Sequence, residues 1–306
     1  MNEVLADEVV VLSGLGFPEG PAFDRDGNFY VGDMDRGTVT RRSADGKVTT
    51  FLETGGGINS TKVGPDQALW AVDNSGRPLA TRAMIPPAMG GSGPNPSQYK
   101  GPPKIHRVDL QSGRAEVVFA GGPGSFTGVN DLVFDRQGNC YFTTGWAGEV
   151  WFFNRARELS RVATGYAFAN GVWVTEDAAT LLVVETPTGV VWRHEILSPG
   201  KVGPRQGFGL MPQIPARWAF PGRDQGDSMT MDAKGNALVC GWQGGQIAVF
   251  DPKGELIDRV LLSDRWITNA AFGGPDFRDL YVTQSMSGKV VTTQWKHPGM
   301  VPFPLR

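Results

Sequence analysis

Histidine is scarce in this 306-residue chain, with three residues, His106, His194 and His297, in outer-strand or terminal contexts and none at metal-ligand spacing. That argues against an imidazole-bound zinc centre. Cysteine is scarcer: Cys140 and Cys240 are the only two, each in an apolar, strand-like run. Two buried thiols are expected rather than a disulfide. No charge sign dominates, since 29 Lys and Arg stand against 31 Asp and Glu for a formal net charge of −2. No nucleic-acid partner is implied. No apolar run approaches the roughly 20 residues of a membrane span. The stretch Met1-Asn-Glu-Val-Leu-Ala-Asp-Glu8 has neither the basic nor the apolar region of a secretory signal, so a cytoplasmic location without a membrane partner is expected. A Gly-x-Ser-x-Gly nucleophile elbow is missing. Gly14-Leu-Gly16-Phe-Pro-Glu-Gly20 misses the dinucleotide-loop spacing and has no helix behind it.

What is abundant is turn chemistry. The chain holds 42 glycines and 22 prolines spread along its length, which suits many short strands. One pattern recurs: a polar residue, a short apolar run, a turn often reading Asp-x-x-Gly-Asn, and a second apolar run. It starts at Glu19, Asn59, Asn130, Asn170, Asp227 and Asn269, at separations of 40, 71, 40, 57 and 42 residues. About 40 residues is one four-stranded propeller blade. The 71-residue interval holds a Pro/Gly-rich insert over 79–103, and the 57-residue interval an irregular stretch over 199–226. A glycine opens a third strand at Gly37, Gly148, Gly189, Gly245 and Gly288; a fourth is visible in four copies, for example at 48–52 and 257–262. The last copy stops after its third strand, and residues 9–12 supply the missing edge. The pattern predicts an all-β, six-bladed β-propeller of four-stranded blades, a single domain over 1–306 with its ring closed by the N-terminal strand. An open β-sandwich is the competing architecture, disfavoured by six near-equal copies.

The six repeat starts would open the innermost strands and so surround one mouth of the channel. Carboxylates facing each other there repel unless a cation lies between them. Carboxylate and amide oxygens are hard ligands that suit Ca²⁺ or Mg²⁺. Strands leaving that mouth return to it after the second strand. Trp146, Trp242 and the 79–103 insert, which carries Met84 and Met89, are therefore expected above the cation, forming a largely apolar pocket.

At these residues the sequence resembles the gluconolactonase family, which includes regucalcin and the luciferin-regenerating enzyme. The resemblance covers nearly the whole chain. It rests on Phe17-Pro-Glu19-Gly-Pro21, Val129-Asn130-Asp131, Ala169-Asn170-Gly171, Gly226-Asp227-Ser-Met229 with Asp232-x-x-Gly-Asn236, and Thr268-Asn-Ala-Ala-Phe-Gly-Gly-Pro-Asp276. It implies six blades and one central divalent metal, Ca²⁺ ahead of Mg²⁺, Mn²⁺ or Zn²⁺. Glu19, Asn170 and Asp227 would be metal ligands, and Asn130 a ligand or a substrate contact. Asp227 would also be the catalytic base of a metal-dependent lactonase acting on a small molecule, and the apolar pocket expected above the cation points to a cyclic ester with an apolar or aromatic substituent. Trp146, Trp242 and Asn269 are expected to touch that substrate. A phosphotriesterase, other metal-assisted chemistry on a carbonyl, and a non-catalytic binding platform are the alternatives; a monomer or weak homodimer is expected. Two departures argue against a polyhydroxylated sugar lactone: Gly128 stands where sugar-lactone relatives carry Arg, and Ser228 replaces the glycine of the usual Asp-Gly-Met.

Overall fold

A computed structural model describes residues 5–75, 101–218 and 221–301. The strand β1 (Val9–Leu12) precedes six sheets. Blade I is β2 (Pro18–Phe23), β3 (Phe29–Asp33), β4 (Thr38–Arg42) and β5 (Val48–Glu53). Blade II is β6 (Ile58–Val63), β7 (Ala68–Asp73), β8 (Lys104–Asp109) and β9 (Ala115–Ala120). Blade III is β10 (Val129–Phe134), β11 (Cys140–Thr144), β12 (Glu149–Phe153) and β13 (Leu159–Thr164). Blade IV holds β14 (Ala169–Val174), β15 (Thr180–Glu185) and β16 (Val190–Ser198), with both β17 (Lys201–Val202) and β18 (Gln206–Leu210) paired to β16. Blade V is β19 (Gly226–Met231), β20 (Ala237–Gly241), β21 (Gln246–Phe250) and β22 (Leu256–Leu261). Blade VI is β23 (Ile267–Gly273), β24 (Asp279–Gln284) and β25 (Lys289–Gln294), completed by β1 in antiparallel register, Val10 opposite Val291. The six inner strands touch their neighbours in an unbroken ring from β2 around to β23 and back. This is a six-bladed propeller.

Burial explains which strands the sequence displays. Every residue of β3, β7, β11 and β20 is buried, because neighbouring blades cover both faces. Those strands read as continuous apolar runs. The outer strands are half in water, as in β5, where four of six residues are exposed, and β13. A fourth strand is present in every blade, supplied in blade VI by β1. The 199–226 stretch, read as irregular, contains β17 and β18. Of the 79–103 insert, residues 79–100, with Met84 and Met89, lie outside the described residues. The strands it joins, β7 and β8, leave and re-enter at Asp73 and Lys104.

The Asp-x-x-Gly-Asn turns are self-contained hydrogen-bonding units. Asp135 Oδ1 accepts the backbone N–H groups of Gln137 and Asn139 at 2.8 and 2.9 Å, and its Oδ2 accepts the Asn139 amide at 2.9 Å. Gly138 takes φ +83°, a conformation that favours glycine. Asp24 with Asn28, and Asp232 with Asn236, repeat the arrangement. Cys140 and Cys240 are free and buried. His194 is buried between the Tyr166 hydroxyl and the Gly203 carbonyl oxygen, and His106 lies against Asp73, so both are packing residues of third strands. No helix among the described residues is long and apolar enough to cross a membrane.

Candidate metal centre

The ladders fix which residues share one level of the channel. Pro18, Ile58, Val129, Ala169, Gly226 and Ile267 each pair with the last residue of the second strand: Asp33, Asp73, Thr144, Glu185, Gly241 and Gln284. In five blades the register breaks just beyond this pair, and in blade I one residue later, after Glu19 opposite Gly32. Such irregularities re-aim side chains. The residues at the break are Glu19, Asn59, Asn130, Asn170, Asp227 and Thr268. The sixth level-mate is therefore Thr268. Asn269, expected there, lies one residue deeper, level with Ser60, Asp131 and Ser228.

Glu19, Asn130, Asn170 and Asp227 thus come from blades I, III, IV and V at one mouth, and each is at least 93% buried. Burial pushes the Glu19 carboxyl well above its ordinary value, and repulsion from Asp227 and then Asp131 adds to it; Thr268 and Asn269 side chains pull it back. Burial likewise raises Asp227, Asn170 opposes the shift, and Asp131 and Asp224 add to it. The deeper level is tied across the channel by Asp131, whose carboxylate accepts the Ser60 hydroxyl at 2.6 Å, the Leu132 N–H at 2.8 Å and the Ser228 hydroxyl. Sequence reasoning gave Asp131 no role, although the Asn-Asp pair at the repeat start was its signal. Ser228, a departure from the family pattern, supplies one of those bonds. Glycine is required beside this level: a Cβ on Gly20 would lie 2.3 Å from the Ser60 Cα, and one on Gly171 2.7 Å from the Asp227 carbonyl oxygen.

The residues present fit a hard dication. Two buried, mutually repelling carboxylates gain a counter-charge from it. The Asn170 side-chain oxygen is buried with no protein partner while its amide nitrogen donates to Thr186 at 3.0 Å, leaving an acceptor turned away from the protein's own donors. Among the described residues no three Asp, Glu, His or Cys side chains converge as a metal site, so amide oxygens have to complete any ligand set. Cavities of about 490 and 830 Å³ open elsewhere, by the inner-strand turns at Asp232 and Asp24, and no ring residue lines them.

Trp146 and Trp242 follow β11 and β20 on the ring's face of the molecule. Trp146 is 57% exposed and meets Phe168 edge-on at 5.0 Å between ring centroids. Trp242 is half-buried and stacks on Trp266 at 5.1 Å, which in turn lies 6.1 Å from Phe17. Phe168, Trp266 and Phe17 were not foreseen; each stands two residues before a ring position, a spacing readable from the repeat.

A six-bladed propeller with carboxylates and amides around one channel mouth defines the class. The SMP-30/Gluconolactonase/LRE-like model matches residues 17–286, and the chain belongs to that family. Pentonolactonase XacC of Haloferax volcanii is 29% identical over 162 residues, covering 51% of this chain and 53% of that protein. Diisopropyl-fluorophosphatase of Loligo vulgaris is 28% identical over 195 residues, 56% of this chain and 59% of that one. Lactonase drp35 of Staphylococcus saprophyticus is 28% identical over 255 residues, 81% of this chain and 70% of that one. The chain thus spans little more than half the length of the first two. Among solved structures, the calcium-binding protein regucalcin of Agrobacterium tumefaciens superposes with a TM-score of 0.76 at 16% identity, covering 99% of this chain and 98% of that one. The Xanthomonas campestris gluconolactonase XC5397 gives 0.72 at 19%, covering 94% and 89%. At these identities the structural likeness carries the fold alone.

Proposed function

We propose that the chain is a divalent-metal-dependent lactonase. The observation that carries this reading is the buried, mutually repelling pair Glu19 and Asp227, drawn from blades I and V to one mouth together with the unpartnered Asn170 oxygen. Glu19, Asn170 and Asp227 would hold the ion, with Asn130 as a fourth ligand or a contact to the ester; an all-oxygen set favours Ca²⁺. When bound, the ion supplies Lewis-acid polarisation of the ester carbonyl and charge to offset the developing oxyanion. Asp227 takes the proton of the attacking water and returns it to the ring oxygen as the acyl bond breaks. Asp131, tied to Ser228, holds the strand that carries Asp227 in place. The lactonase names among the relatives support the reaction class.

Metal analysis of the purified protein, followed by lactone hydrolysis with and without chelator, tests this directly. About one ion per chain and chelator-sensitive turnover are expected. Asn130→Ala should recover most of its turnover in excess Ca²⁺. Asp227→Ala should stay at least about 10³-fold down, since charge and base are lost together. Equal recovery would argue against Asp227 as the base. The similarity to diisopropyl-fluorophosphatase favours a second reading, hydrolysis of a phosphotriester at the same site. Screening a fluorophosphate beside the lactones separates the two.

A further inference from the structure

Above the ring, each blade contributes two equivalent residues joined by one hydrogen bond. The N–H following the second strand donates to the carbonyl two residues before the ring position: Met34 to Phe17, Asn74 to Gly57, Gly145 to Gly128, Thr186 to Phe168, Trp242 to Gln225 and Ser285 to Trp266, at 2.8–3.2 Å. None of these twelve residues carries a charge. Their large side chains are apolar and fall in blades IV, V, VI and I, whereas blade III places glycine at both of its positions. Phe17, Met34, Phe168 and Trp266 form one buried cluster with Trp242 packed on it.

Three polar members, Thr186, Ser285 and Gln225, are already engaged, while the Asn74 amide is fully buried and has no hydrogen-bond partner among the described residues. Thr186 Oγ1 accepts the Asn170 amide at 3.0 Å, and Ser285 Oγ donates to the Pro18 carbonyl at 2.7 Å. The Gln225 side-chain oxygen accepts the Gln243 amide at 3.4 Å. Few groups among these twelve remain to read a row of hydroxyl groups, and none of the twelve carries a charge to meet an anionic substituent. What the rim offers is two indoles, each braced by a buried ring: Trp146 against Phe168 and Trp242 against Trp266. Aromatic walls fixed before binding lose little entropy when a ligand docks.

We infer that the substrate is a neutral lactone bearing an aromatic or branched-alkyl body, held between Trp146 and Trp242 while its ester faces the ring. This rests on the lactonase reading above and narrows it.

The test is a series on one δ-lactone ring: δ-phenyl-δ-valerolactone, unsubstituted δ-valerolactone, D-glucono-δ-lactone and its 6-phosphate, each with the Ca²⁺-loaded protein. The phenyl compound should have a kcat/KM at least about tenfold above the gluconolactone and its phosphate. Trp146→Ala, at an exposed position, and Trp242→Phe should each lower the phenyl-to-unsubstituted ratio of kcat/KM by roughly three- to thirtyfold, mainly through KM. Calorimetry with the non-hydrolysable phenyl lactam should show binding that weakens in both variants. Best turnover of gluconolactone or its phosphate overturns this inference and leaves the lactonase reading standing. Lactam binding without turnover of any lactone does the reverse. Absence of both overturns both.

Discussion

At the scale of single residues, the unusual feature is two buried acids whose ionisation the protein alone resists. Their ordinary values are 4.5 and 3.8, and both are raised in the fold. The sign follows from proton binding. Without metal, the folded chain holds protons that the unfolded chain has released. Stability from these groups is therefore fully present below the unfolded values and is lost as pH rises through the folded ones. In chelator, the melting temperature should fall as pH climbs above about 5. Saturating Ca²⁺ should flatten or reverse that fall, because the ion binds the deprotonated pair. Glu19→Gln removes one charge from the pair. In chelator at pH 8 it should melt a few degrees above the parent, at about 2 °C per kcal/mol for a chain of this size, and gain little from Ca²⁺. Calorimetric scans of both proteins, with and without Ca²⁺, check all four limits. A parent whose chelated melting temperature rises with pH would remove the case for a cation between Glu19 and Asp227.

At the scale of elements, the turns between inner and second strands combine buried polar groups with a fixed backbone shape. Asp135 and Asn139 are 4% and 7% exposed, and Asp135 satisfies two backbone donors and one amide. Asp135→Ala leaves those donors without a partner in a poorly solvated turn. It should cost about 2–3 kcal/mol, read as a lower urea midpoint at unchanged m-value. Asp135→Asn keeps an acceptor and should lose less than half of that. These turns are also what made the blades readable. Asp, Gly and Asn at fixed offsets mark each one, and doubly covered second strands spell out apolar runs. The fourth strands were harder to read, since a strand such as Leu159–Thr164, half in water, has no such run. The exchange of Thr268 for Asn269 has a local cause too. Thr268 lies 16 residues before Gln284, the end of its second strand, against 14 or 15 in the other five blades, so the usual spacing lands on Asn269, one residue late. The ring's carboxylates and most amides were legible because they open the repeat. Asp131 was not, because its role depends on Ser60 and Ser228, which are distant in sequence and meet it only across the channel.

At the scale of the whole molecule, the ring has one seam, and non-covalent contacts close it. The outer edge of blade VI is β1, drawn from the other end of the chain and paired with β25. Just before it, Ala6 N–H donates to the Leu261 carbonyl at 2.8 Å, reaching blade V. The Glu8 carboxylate accepts the Ser263 N–H and hydroxyl, both at 2.6 Å, and the Gln284 amide at 3.0 Å. The seam lies between blades VI and I, and this strap carries the chain that leads into blade I across blade VI as far as blade V. Each blade relies on its neighbours for cover, so a loosened seam exposes apolar faces beyond the strand itself. Removing residues 1–12 should therefore lower the melting temperature by about 10 °C or more and promote self-association through the bared edge of β25. Glu8→Ala removes three hydrogen bonds but keeps β1. It should cost only about 2–4 °C and leave the protein monodisperse relative to the parent. Thermal scans with light scattering on the three proteins make the comparison. If the truncated chain melts where the parent does and scatters no more light, the six blades do not depend on the N-terminal strand for closure.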